Sequence, residues 1–541
     1  MRRVEDHARL DELRDRVIYH ANAFGRTLPE IRFFVLDAME FMSLLEKKVY
    51  PTSPVNIWEG KRMVTKKHRL DQGLESALYY EVVQTGDPSY AYLNATNNDM
   101  MQASVMAHVV GHCEFSELNV LRDSNRDRTE YVMYLVRRVE RGRQQMGTKS
   151  FMQYWNAVES LTPLISPNSQ YNLAGSVDTD LHLDRRFSKK TRSVDGDPSL
   201  VMPFSETLDQ LLLKKPQEKV VEKELKSKLK QEALSRRGFK LRAPCQDVLG
   251  FMRNFAPCSP AERDLLAYFY TVHAPQDFVI RTQIMNEGWA MYWEKKIMLE
   301  LFKERAVPGI IEYAKVFSAV CFPRPYYQRN PYHLGFHLWN TIEEAYKMGR
   351  VSLEYREEVD MEKRQSWNKG NGVDPMKSME GLVRTVTDYE FLRRFLTPDL
   401  IHKFHLNRIP QRDAARLGIS RKDIIDENKS WVWLDPEPIL EDMLRFFTHY
   451  YRPRIYVVDT DFEDGGFLLY HRDDGRRLKV DWIKPTLKNL NLVWKGSVHL
   501  ISRGTLYGFS GGRYREMRIN DLSFDQVVDR MQQGRKPLEM Q

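Results

Sequence analysis

A chain of 541 residues with 42% hydrophobic and 29% charged residues has material for two or more cored domains, which excludes an intrinsically disordered polymer. No run approaches the roughly 20 apolar residues of a membrane span, and Met1 to His7 turns charged without a signal-peptide core behind it, so a cytoplasmic protein is expected. Four cysteines without a Cys-x-x-Cys pair exclude a disulfide scaffold, and the net charge of +8 is spread without a basic–aromatic module, so neither a membrane nor nucleic acid is an expected partner.

In chain order, Leu10, Leu13, Val17 and Ile18 recur at helical spacing, and a second helical run is expected around Ile31 to Leu45. Tyr79 to Val83 and Tyr90 to Leu93 flank Gly86-Asp87-Pro88, which predicts a β-hairpin. Asn97-Asn98-Asp99 then offers an N-cap for a helix from about Met100 to Leu121. Helix is expected again over 126–161, followed by an aperiodic loop over 162–202 and a charged connector over about 214–242. Further helix is predicted from Cys245 to about Arg305, over Leu334 to Arg350 and from Met379 to Leu396. Beyond about His405 short strands are expected at Ile455 to Val458, Phe467 to His471 and Val498 to Ile501, with helix over Ile483 to Leu492. Asp474-Gly475 followed by Leu478-Lys479-Val480 reads as a second hairpin. The expected architecture is α+β: a predominantly helical N-terminal domain (1–405) with a β-hairpin preceding a zincin-like metal helix, and a small α+β C-terminal domain (406–541).

The chemistry concentrates in two helices. His108 and His112 stand at i and i+4, so both imidazoles project from one helix face and can reach one cation. Glu287 and Glu294, seven residues apart in the run Met285-Asn286-Glu287-Gly288-Trp289-Ala290 and beyond, place two carboxylates on one face of a later helix. Two His from one helix and a Glu from another form the ligand set of a large class of zinc peptidases, whose helix reads His-Glu-x-x-His with the Glu as general base. Here Val109 takes that position, so the base is missing; a satisfied core His–Glu pair is the competing reading. Trp289 and Trp293 are expected in the core, and Glu114, about 200° around the helix from His112, is expected to point away from the site.

The run Tyr80-Glu81-Val82-Val83, Pro88, Ala91-Tyr92-Leu93 and Ala107 to His112 resembles the N-terminal domain of the SpoVR-like (stage V sporulation protein R) family. So do Asn286 to Ala290, Asn330-Pro331-Tyr332 with Leu334-Gly335-Phe336, and Asp388 to Leu392. The chain reads as a divergent member: Ser116, Glu117 and Leu118 depart from the family pattern, and Glu294 stands where the family commonly has His. Glu294 then serves either as an oxygen ligand in place of that His or as a solvated charge. The resemblance implies a role in spore cortex formation or in a stress response, with a serine-kinase-type ATPase and a von Willebrand A-like protein as partners. On this basis a divalent metal, zinc before iron or manganese, is expected on His108, His112, Glu287 and Glu294. A metal-dependent hydrolase of peptide, amide or cell-wall-related bonds, with Glu81 replacing the missing base, is the first expectation. A non-catalytic regulatory or scaffold protein with a structural metal is the second, and a redox-metal oxidoreductase the third.

Overall fold

A computed structural model describes residues 2–37, 40–41, 82–86, 88–122, 128–167, 241, 243–370, 372–448, 450, 452–463, 465–473, 475 and 477–538. Glu81, the loop beyond 167 and the connector over 214–240 lie outside the described residues. The fold is α+β and mostly helical. Its chain divides into two compact units, each assembled from separate stretches: 1–126 with 278–450, and 127–277 with 451–541.

In the first unit β1 (Arg2–Arg3), α1 (Ala8–Ala23), β2 (Ile31–Leu36), β3 (Val82–Gln84) and β4 (Ser89–Asn94) precede the long helix α2 (Asp99–Leu118). The sheet runs β1-β2-β4-β3, with β2 parallel to β4 and β3 antiparallel to it, so the hairpin expected before the central helix is present. Ile31 to Leu36 is strand rather than the expected helix. Its β-branched and aromatic residues fit a pleated surface, where Phe33 and Val35 are buried and Phe34 stacks on Tyr90 and Tyr92. Every side chain of α2 from Met100 to Ser116 is buried, because the run is almost entirely apolar or small and can be surrounded on all sides. Asn98 caps it, accepting from the Met101 amide at 2.9 Å.

Five helices complete the surroundings of α2: α3 (Gln276–Lys303), α4 (Ile310–Val320), α5 (Pro331–Lys347) and the pair α6 (Pro375–Thr385) and α7 (Asp388–Phe395). The helix expected over 379–396 is interrupted at Val386 and Thr387, both in extended conformation, and the helices expected from Cys245 to about Arg305 are three. Close approach of these helices depends on small residues. A Cβ on Gly111 would lie 2.6 Å from the Ala290 Cα, and one on Gly335 would lie 2.7 Å from the Gly288 Cα. The middle of α3 is gripped from outside: the buried Asp388 carboxyl accepts from the Ile284 and Met285 amides at 2.8 and 3.0 Å, and the Trp339 indole donates to the Met285 carbonyl at 3.0 Å. Complete burial pushes the Asp388 carboxyl up to about 8 despite those two donors.

Asn330 ties the end of α4 to the start of α5. Its Oδ1 accepts from the Tyr332 and His333 amides, and its Nδ2 donates to the Val320 and Phe322 carbonyls at 2.8 and 2.9 Å. Asn330→Ala removes a helix cap and leaves two half-buried carbonyls without their donor at once, and is expected to lower unfolding stability by about 1–3 kcal/mol in urea titrations.

The first unit also holds a small sheet in the order β5-β7-β6, from β5 (Arg408–Pro410), β6 (Ile424–Glu427) and β7 (Trp431–Leu434), and the second unit carries a five-stranded sheet in the order β12-β11-β10-β9-β8, formed by β8 (Ile455–Phe462), β9 (Gly466–His471), β10 (Val498–Ser502), β11 (Thr505–Ser510) and β12 (Arg513–Arg518). Helix Val480–Trp494 makes the crossover between the parallel strands β9 and β10. The strands and helix expected in this region are therefore present, but Val480 opens that helix, and among the described residues no second hairpin forms beside Gly475. The hairpin is instead β8–β9. This sheet completes its core with earlier chain: Cys245 bridges Val457, and Phe251 stacks on Phe467. The boundary expected at 405/406 accordingly falls inside the first unit. Among the described residues no helix is long and apolar enough to cross a membrane.

Candidate metal centre

The site is built where α2 and α3 cross. Gly111, between the two histidines, lets the α3 backbone at Ala290 approach, and this brings Glu287 opposite His108 and His112. Donor atoms of these three residues lie within 4.8 Å of one another, and among the described residues they form the cluster able to hold a metal ion. The Glu287 carboxylate Oε2 stands 3.3 Å from His112 Nε2 and 3.7 Å from His108 Nε2.

The other face of each imidazole is held by an oxygen. His108 Nδ1 lies 2.8 Å from Glu294 Oε2, and His112 Nδ1 lies 2.9 Å from Asn286 Oδ1. With Nδ1–H donating to these acceptors, a neutral ring turns the lone pair of Nε2 toward Glu287 and its partner histidine, the arrangement in which protein imidazoles ligate metals. Two neutral imidazoles and one carboxylate suit a borderline divalent cation such as zinc. The donor set therefore fits the expected ion.

Glu294 occupies a different place from the one expected. It is fully buried rather than solvated, and it sits behind His108, where it also accepts from the Ser104 hydroxyl at 2.7 Å. The two carboxylates spaced seven apart do share a helix face, and they flank opposite nitrogens of the same ring. Spacing does not mark Asn286 or Ser104 as contributors. Asn286 adjoins Glu287 in the recognisable run, which was the available signal; Ser104, four residues before His108, carried none.

Glu114 points away from the site, as its helix position predicts, and pairs with Arg26 at 3.2 Å while accepting from the Trp289 indole at 2.9 Å. Trp289 and Trp293 are core residues. His333 directs both ring nitrogens at backbone carbonyls, of Cys321 and Phe404, at 2.8 and 2.9 Å.

His337 packs beside His333 and against Phe404, and burial, followed by His333, Lys295 and Lys403, lowers its pKa from 6.5 to about 4. A folded value below the unfolded one means stability present above pH 6.5 and lost as pH falls toward 4. Screening of the partly exposed ring leaves about 1–2 kcal/mol for this group. Thermal melts across that range should show the loss in wild type and a flatter profile in His337→Phe.

The site opens on a cavity of about 750 Å³ whose lining includes His108 and Glu287 on one side and Val316, Ala319 and Val320 of α4 on the other. Tyr332, at the start of α5, lies beside His108 with ring centroids 6.1 Å apart.

Comparison with known proteins adds a family and one relative. The family described as SpoVR like protein matches residues 5–432. A protein of Escherichia coli (strain K12), described as "Uncharacterized protein YcgB", is 26% identical over 373 residues, covering 65% of this chain and 65% of that protein's own length. No solved structure matches.

Proposed function

The chain belongs to the SpoVR-like protein family, and from that premise we propose that it is a metal-dependent hydrolase of peptide, amide or cell-wall-related bonds, with His108, His112 and Glu287 holding a divalent cation, zinc foremost. The observation that carries this reading is the pair of imidazoles whose Nδ1 atoms are tied back to Glu294 and Asn286 while their Nε2 atoms converge with Glu287 beside a cavity. A catalytic site needs such an open side, whereas a purely structural ion is closed off by protein ligands.

A divalent ion held there supplies Lewis acidity, polarising a scissile carbonyl and lowering the pKa of water. The chain's own residues do the rest. Glu294 and Asn286 lock the histidine tautomers and ring orientations, Glu287 offsets the positive charge, and the aliphatic faces of Val105, Met291 and Val316 keep the cavity wall dry. Val109 stands where a zinc peptidase would carry its base, so Glu81, immediately before β3, is assigned the proton. The proposal extends to the physiological setting, spore cortex formation or a stress response, and to a serine-kinase-type ATPase and a von Willebrand A-like protein as partners.

The test is elemental analysis and thermal melting of the wild type beside a Glu287→Ala/His112→Ala double variant, followed by an amide-hydrolysis screen. About one zinc per chain, lost in a folded variant together with turnover, is expected; Glu81→Gln should keep the metal and lose turnover. Stoichiometric metal with no turnover on any amide would sink the hydrolase reading and leave a structural ion. A metal-free wild type would sink the centre itself.

A further inference from the structure

The cavity beside the metal group carries information about what it holds. Most of its polar side chains are already engaged. Asn98 caps α2, Ser104 bonds Glu294, and the Asn330 amide is spent on four backbone groups. The charged residues of the lining outside the metal group are Glu312 and Arg324, both exposed and, among the described residues, neither with a hydrogen-bond or ion-pair partner. A carboxylate and a guanidinium at one cavity, not neutralising each other, are available to a ligand.

Their placement follows from α4. Glu312, Val316, Ala319 and Val320 fall at i, i+4, i+7 and i+8, one face of that helix, so α4 presents an acidic first turn, an apolar middle and then, just beyond its last residue, Arg324. From Glu312 to Val320 the helix rises about 12 Å, with Arg324 four residues further along the chain, and an extended peptide covers the helical part of that span with roughly four residues at about 3.3 Å each. The cavity volume is of the size that holds such a ligand. His108 and Glu287 line the same cavity from α2 and α3.

We infer that this cavity binds a short zwitterionic peptide, about four residues long, with its free ammonium end at Glu312, its free carboxylate end at Arg324 and aliphatic side chains against Val316, Ala319 and Val320. This rests on the hydrolase reading in placing an interior amide of that peptide at the His108–His112–Glu287 group. It makes the substrate a short peptide with both ends free rather than a long polymer, because each end is read by a charge.

The experiment measures equilibrium binding by calorimetry of the tetrapeptide alanyl-leucyl-leucyl-alanine, its N-acetylated form and its C-terminal amide. With a chelator present so that no peptide is cleaved, each is titrated into wild type, Glu312→Gln, Arg324→Gln and the metal-site variant His112→Ala. Blocking either end should weaken binding to wild type about five- to tenfold, the scale of one partly exposed charge-assisted contact. Acetylation should cost nothing further in Glu312→Gln, and amidation nothing further in Arg324→Gln. His112→Ala should keep both end preferences, so loss of metal or turnover is separable from loss of peptide recognition. No binding of the free tetrapeptide to wild type, equal binding of all three peptides, or end penalties that persist in the matching variants would each overturn the inference.

Discussion

Gly288→Ala is expected to be strongly destabilising. A Cβ there would overlap the backbone of Gly335, with the Gly335 carbonyl oxygen at 2.7 Å, so the atoms in the way belong to another helix's main chain rather than to a side chain that can rotate. Relief requires α3 and α5 to separate, which opens the packing around Trp289 and Trp339, whose rings meet at 5.0 Å. The cost should be about 3 kcal/mol or more. The separation also moves Glu287, the adjacent residue, so metal content should fall with stability. Gly381→Ala provides the contrast: its Cβ would meet nothing within 4 Å, and it sits inside α6, so it should stabilise by about 0.5–1 kcal/mol through helix propensity. Urea unfolding of both variants checks the pair. Equal stabilities would mean that the close helix crossing at Gly288 and Gly335 is wrong.

Glu294→Gln should separate metal affinity from folding. Glutamine keeps the volume but has one acceptor oxygen where Glu294 uses two, Oε2 for the His108 Nδ1–H and Oε1 for the Ser104 hydroxyl; with the amide oxygen on His108, the amide NH2 donates to Ser104 Oγ, and the folded state should survive with a loss of about 1–2 kcal/mol. What it removes is the negative charge that accepts the His108 Nδ1–H and fixes the ring's orientation. Competition titration with a chelator should therefore show zinc affinity weakened about 10- to 100-fold, the scale typical for removing such a supporting partner. His112→Ala, which deletes a donor, should lose zinc at any practical concentration. Unchanged affinity in Glu294→Gln would show that Glu294 does not act on the ion through His108.

Much of the site was legible before any fold was known, because helical periodicity is a local property. His108 and His112 at i, i+4 had to share a face, Glu287 and Glu294 at a spacing of seven had to share another, and Glu114 had to point elsewhere; all three hold. The hairpin ahead of α2 and most of the C-terminal strands were likewise written in turn residues and alternating β-formers. The misreadings have one cause. Ile31 to Leu36 is apolar enough for either state, and only pairing with β1 and β4 makes it a strand. Leu478 to Val480 could extend a hairpin or start a helix, and the crossover to β10 selects the helix.

What the sequence by itself determined, then, are the family, the α+β class and the residues that can reach a cation. The roles within that set were decided by tertiary structure: which nitrogen of His108 faces Glu287 and which faces Glu294, that Asn286 backs His112, and that α4 brings Glu312 and Arg324 to the same cavity. Those relations join residues some 170 to 220 positions apart, and no local pattern encodes them. They follow from helices drawn together at Gly111, Gly288 and Gly335, where the absence of a side chain permits backbone contact.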